Sequence, residues 1–205
     1  MNVSSRKVRF GTVAAGAIVM ASMIMVPCVR ASQDASTFVA NVGTRGIQAL
    51  RPEVSSSDRL ARFQQLLQEA FDLPGIGMFA LGRYRLSATA QEQQEFFRLY
   101  PDFTVRAFSI RLREYGGSSF RVIGTRAYGG ETVVNSEIVR TNGSRVQLDW
   151  YLAERGNEYR ITDVTVGGVS MKVALRDQFA SWIENNGGRT SALLAVLRQQ
   201  NAHLR

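Results

Sequence analysis

Four runs rich in β-branched and aromatic residues follow one another between Phe120 and Val166, and a glycine-bearing pair separates each from the next. The runs are Phe120 to Tyr128, Glu131 to Thr141, Ser144 to Glu154 and Glu158 to Val166. The pairs between them are Gly129-Gly130, Asn142-Gly143 and Gly156-Asn157. Such pairs supply the positive φ of tight hairpin turns, so consecutive runs pair as antiparallel neighbours. The third run alternates cleanly, with Val146, Leu148, Trp150 and Leu152 on one face and Arg145, Gln147 and Asp149 on the other. The fourth loses its alternation between Ile161 and Val164, which predicts a bulge near Asp163. Strands of this length reach about 33 Å, and a long twisted sheet with one apolar face needs a cover.

The cover is written on both sides of the meander. Ser55-Ser56-Ser57-Asp58 is a capping cluster ahead of Leu60, Phe63, Leu66, Leu67, Ala70 and Phe71, which share one helix face. Pro74-Gly75 ends that helix, and Ile76 to Leu81 is a short apolar segment closed by Gly82. Thr89 and Glu92 have the spacing of a capping box and open a long helical run through Phe96, Phe97, Phe103, Phe108 and Tyr115. Pro101 inside that run removes a backbone donor, which predicts a kink or a break into two helices. After the strands, Gly167-Gly168 leads to Ser170, a residue suited to cap a helix that carries Phe179 and Trp182. Asn186-Gly187-Gly188 stops that helix before a last leucine-rich one. Helices, then strands, then helices make an α+β fold: a four-stranded antiparallel meander covered by N- and C-terminal helices.

The N-terminus has the pattern of an export signal. Arg6, Lys7 and Arg9 precede an apolar stretch from Thr12 to Val26, Pro27 breaks it, and Val29-Arg30-Ala31 offers a cleavage site. Residues 1–31 are therefore expected to be removed, leaving 32–205 as a single domain; an uncleaved anchor is the alternative, and Pro27 before Cys28 argues against lipidation there. Loss of the signal takes the basic count from 25 to 21 against 17 acidic residues, and the net charge from +8 to +4. Cys28, the one cysteine, leaves with the signal, so the exported chain depends on its core and not on disulfides. Lys172 is then its only lysine. No Lys/Arg run or zinc-finger spacing points to nucleic acid.

Catalytic chemistry is sparse. The one histidine, His203, lies two residues from the C-terminus; no thiol is expected after Cys28 leaves, and no nucleophile elbow, phosphate loop or calcium ladder occurs. Gly168-Val-Ser170-Met-Lys172 is better read as a cap than as a serine–lysine pair. Asp149 and Asp163 are better read as polar-face residues than as an acid–base pair. No metal site is expected. The large apolar side chains of the helices, Phe63, Phe71, Phe79, Phe96, Phe97, Phe103, Phe108, Phe179 and Trp182, either fill a dry core or wall a cavity.

Several segments in matching order resemble the MlaC, or toluene-tolerance, family of periplasmic phospholipid-binding proteins. Phe71-Asp72 with Met78, Ala80 and Leu81-Gly82-Arg83-Tyr84 is one. Thr89 to Phe97, then Arg106, Leu112 and Tyr115-Gly116-Gly117 follow. The strongest is Tyr159 to Asp163, Gly168-Val-Ser170, Arg176, Phe179 and Gly187-Gly188. Arg85 in place of a frequent tryptophan, Pro101 and Gly167 depart from the pattern.

The resemblance implies a lipid-binding domain with an apolar cavity between helices and sheet, and no enzyme. Its expected wall is Phe63, Leu67, Phe71, Met78, Phe97, Phe103, Phe108, Val146, Leu148, Trp150 and Phe179, with Arg83, Arg85 and Arg106 meeting head groups or partners. It further implies a periplasmic monomer without cofactor that carries phospholipid as cargo. The carrier would exchange it between an outer-membrane lipoprotein complex and an inner-membrane ABC transporter complex, maintaining outer-membrane asymmetry. Another lipid such as a hopanoid, an enzyme with a polar pocket near Asp149 or Asp163, and an adaptor with a filled core are the competing readings.

Overall fold

Beyond Met1, the computed structural model describes residues 34–202. The remainder of the expected signal, with Cys28 and its cleavage site, and His203 lie outside the described residues. Helix α1 (Ala35–Ala49) starts at Asp34, whose carboxylate accepts from the Thr37 amide. Helix α2 (Ser56–Ala70) is capped by Ser55, as its capping cluster predicts. Pro74 does not merely terminate α2; it sits in the first turn of α3 (Leu73–Leu81), where a missing amide proton costs nothing. Gly82 ends α3 with φ 56° and begins a 3-10 turn, Gly82–Leu86.

Helix α4 (Ala90–Arg111) opens on the expected capping box. The Glu92 amide donates to Thr89 Oγ1 at 3.2 Å and the Thr89 amide to Glu92 Oε2 at 2.9 Å. Pro101 does not split it: the assignment is one continuous helix of 22 residues. Thr104 Oγ1 donates back to the Tyr100 carbonyl at 2.8 Å within this stretch.

The meander forms in the predicted order. Strands β1 (Ser119–Tyr128), β2 (Glu131–Val139), β3 (Arg145–Arg155) and β4 (Glu158–Val166) pair antiparallel with their sequence neighbours. The sheet has five strands and not four, because β5 (Val169–Ser170) folds back on β4 through Gly167-Gly168. At two residues, β5 is too short to carry an alternation that sequence can reveal. The bulge expected near Asp163 is present: Tyr151 pairs with Asp163 but Leu152 with Ile161, leaving Thr162 extra. Helices α5 (Met171–Glu184) and α6 (Thr190–Ala202) complete the chain, separated by Gly187 and Gly188 at positive φ.

The buried residues fall into two clusters. The first lies between α1, α2 and the inner face of the sheet, with Val39, Phe63, Leu67, Trp150 and Ile161 among its members. The second is helical, gathered from α3, α4, α5 and α6 around Phe96, Tyr100, Phe103, Phe179 and Leu197. Because α4 packs on both α2 and α6, it borders both clusters.

Candidate lipid-binding cavity

The first cluster does not close. About 1080 Å³ of space, continuous with solvent at its rim, lies between the helices and the sheet. Its wall is almost wholly apolar and comes from every layer of the fold. Helix α1 gives Val42, Gly43, Ile47 and Leu50; α2 gives Phe63, Leu66 and Leu67; α4 gives Tyr100, Thr104, Phe108 and Leu112. The sheet floor is Phe120, Ile138, Leu148, Trp150, Val164 and Val166, and Leu73, Ile76, Met171 and Leu175 close the side between α3 and α5.

Glycine sets how near α1 comes to this floor. A Cβ on Gly43 would lie 2.4 Å from the Phe120 ring, so the helix rests directly on that side chain. One turn on, Gly46 faces open space, and a Cβ there meets nothing nearer than Leu66 at 3.8 Å.

The polar groups of the wall are mostly spent on the protein itself. Trp150 Nε1 donates to Ser136 Oγ at 2.8 Å, and Tyr115 Oη accepts from Arg140 at 3.0 Å. The buried Asp163 carboxylate accepts from the Val164 amide at 2.8 Å, the Ser170 hydroxyl at 2.5 Å and the Lys172 amide at 3.1 Å. Ser170 Oγ in turn accepts from the Val173 amide, so the bulge beside Asp163 delivers a carboxylate to the start of α5. Tyr100 is different: it is fully buried, its hydroxyl has no partner among the described residues, and burial pushes its pKa well up.

Six of the expected wall residues line the cavity: Phe63, Leu67, Phe71, Phe108, Leu148 and Trp150. Five stand elsewhere. Phe97, Phe103 and Phe179 pack in the helical cluster, where Phe179 meets Phe96 edge-on at 5.8 Å and Phe103 at 5.7 Å. Met78 is 37% exposed on α3, and Val146 packs beside the cluster without reaching the cavity.

The three arginines are not on the wall either. Arg83 pairs with Glu184 and hydrogen-bonds Tyr84, which holds it to α5. Arg85 is exposed on the 3-10 turn. Arg106 donates to the Gln200 carbonyl, tying α4 to α6. Asp149 accepts from Asn135 at 2.6 Å on the sheet's other face, away from Asp163.

Sequence reasoning missed α1 altogether. Its Val39, Val42, Gly43, Gly46, Ile47 and Leu50 recur at helical spacing, a signal diluted by glycine, which hydropathy scores as neither apolar nor polar.

Geometry of this kind defines a class: an α+β domain with an apolar cavity between a sheet floor and a helical cover. Among the described residues no acidic, histidine or cysteine cluster is suited to a metal, and no helix is long and apolar enough to cross a membrane.

Within that class the chain belongs to the MlaC protein family, whose model matches residues 43–199. It is 25% identical over 125 residues to the toluene tolerance protein Ttg2D of Pseudomonas putida, covering 60% of this chain and 58% of that protein. It is 24% identical over 112 residues to the intermembrane phospholipid transport system binding protein MlaC of Haemophilus influenzae, covering 52% and 51%. The chain thus spans little more than half the length of either curated relative. The phospholipid-binding protein of Ralstonia solanacearum, solved in complex with a phospholipid, shares the fold at a TM-score of 0.67 and 22% identity. That match covers 84% of this chain and 99% of the other.

Proposed function

We propose that this protein is a periplasmic phospholipid carrier, exported by the signal at residues 1–31, whose cavity takes up acyl chains. The observation that carries the reading is the hollow first cluster: an apolar space left open where a stable core is ordinarily filled. An empty apolar cavity is unfavourable by itself. Each methylene moved from water into it returns about 0.8 kcal/mol, so a lipid tail is the natural filling. The names of the relatives support phospholipid as cargo.

Transfer is binding and release, without a covalent step or cofactor. The carrier passes lipid as a monomer between an outer-membrane lipoprotein complex and an inner-membrane ABC transporter complex, which keeps the outer membrane asymmetric. The side chains facing the tails are Phe63, Leu67, Phe71, Phe108, Leu148 and Trp150, joined by the α1 residues Val42 and Ile47.

The test is to purify residues 32–205 after periplasmic expression, extract with organic solvent and identify the extract by mass spectrometry. Two-chain phospholipid in stoichiometric amount is expected. A hopanoid in its place redirects the reading to another cargo, and a protein that is empty and takes up no added lipid overturns it.

A further inference from the structure

The wall of the cavity carries two charged side chains, Asp163 and Lys172, and only one of them is committed. Asp163 is occupied by its three donors. The Lys172 ammonium has no carboxylate within ion-pairing distance among the described residues. It stands 5.2 Å from the centroid of the Phe79 ring. Phe79 lies on α3 and is not part of the wall, so the Lys172 side chain runs from the wall toward the α3–α5 seam.

Arg176, one turn further along α5, approaches the same ring at 5.5 Å, but its guanidinium is already paired with Asp177 at 2.8 Å. An apolar chamber with one uncommitted cation at its edge has the polarity of an anionic amphiphile, tails inside and charge at the seam.

We propose that Lys172 holds the phosphodiester of the bound lipid at the α3–α5 seam and so fixes the direction in which the lipid lies. This rests on the carrier reading and adds the anchoring group. Arg83, Arg85 and Arg106, all off the cavity wall, take no part. The shared chemistry is an oxygen anion of phosphate, which a lipid head group or free inorganic phosphate can supply, and the lipid is the source named here.

Delipidated protein is offered phosphatidylglycerol or diacylglycerol with identical acyl chains in detergent micelles, and the retained lipid is quantified after extraction. Wild-type protein retains the phospholipid about tenfold better or more, as a charge-assisted hydrogen bond provides. Lys172→Met loses the preference while still taking up diacylglycerol, and Lys172→Arg keeps it. Inorganic phosphate leaves the melting temperature of the empty protein unchanged.

Equal retention of both lipids by the wild type overturns the inference and leaves lipid binding intact. So does a preference that survives in Lys172→Met. A melting temperature raised by phosphate, without lipid preference, reassigns Lys172 to a free anion. Retention of neither lipid removes the carrier reading and this inference with it. Diacylglycerol uptake shows whether Lys172→Met is folded, and Lys172→Gln is read in its place if it is not.

Discussion

The two apolar clusters draw on the same residue types and end in opposite states. The helical one is filled at its centre: Phe96 stacks on Tyr100 at 5.3 Å, Phe103, Phe179 and Trp182 pack ring to ring within 5.5–5.8 Å, and only an open recess beside Phe103 and Trp182 borders it. The sheet-backed one is hollow. Four helices brought side by side interlock their side chains and leave space only at their outer edge. A long twisted sheet cannot be followed along its whole length by straight helices, so side chains of ordinary size leave a gap. Hydrophobicity makes both regions; the shape of the backing decides which of them stays open.

The largest effect that tests this contrast is on stability. Phe179→Ala removes a fully buried ring from the full cluster and is expected to cost about 3–5 kcal/mol in chemical denaturation. Phe108→Ala, which only widens a space already open, is expected to cost no more than about 2 kcal/mol. Equal losses would erase the distinction between the two clusters.

Next in size is the glycine pair of α1. Gly43→Leu forces its side chain into the Phe120 ring and is expected to destabilise by about 1–3 kcal/mol. Gly46→Leu points into the cavity without a clash and gains up to about 1 kcal/mol of helix propensity. Stability preserved in Gly46→Leu with its lipid content sharply reduced, measured by extraction and mass spectrometry, would show that the hollow is kept for its contents.

The smallest expected effect lies on the outer face of the sheet. Burial by itself would raise the Glu137 pKa, but Arg121 and Arg145 outweigh it and hold the carboxyl below its ordinary value of 4.5. A depressed folded-state pKa gives stability that is complete above the ordinary value and is lost as pH falls through the folded one. Wild type should therefore exceed Glu137→Gln in urea stability at pH 7, and the margin should vanish in strong acid. Lipid content should be the same in both. A change in lipid content would mean that the two faces of the sheet are not independent.

Much of the fold was legible because its signals are local. Glycine-bearing turns placed the four long strands, Thr89 and Glu92 marked the start of α4, and broken alternation marked the bulge beside Asp163. The site was legible only by halves. Helical spacing shows that Phe63, Phe103 and Phe179 are buried, but not which cluster each enters, since that depends on how α4 and α5 cross the other helices. Arg83 and Arg106 looked like head-group ligands because their partners, Glu184 and the Gln200 carbonyl, lie about a hundred residues away in the chain. Lys172 was visible as a solitary lysine, and only the folded chain puts it on the wall.

Helix α4 runs unbroken past Pro101, with Tyr100 stacked on Phe96 in the full cluster while also forming part of the cavity wall. Cavity and core therefore share one partition, a single helix thick. A side chain enlarged on one side of that partition has to be accommodated on the other, so the packing of the bundle sets how deep the chamber reaches.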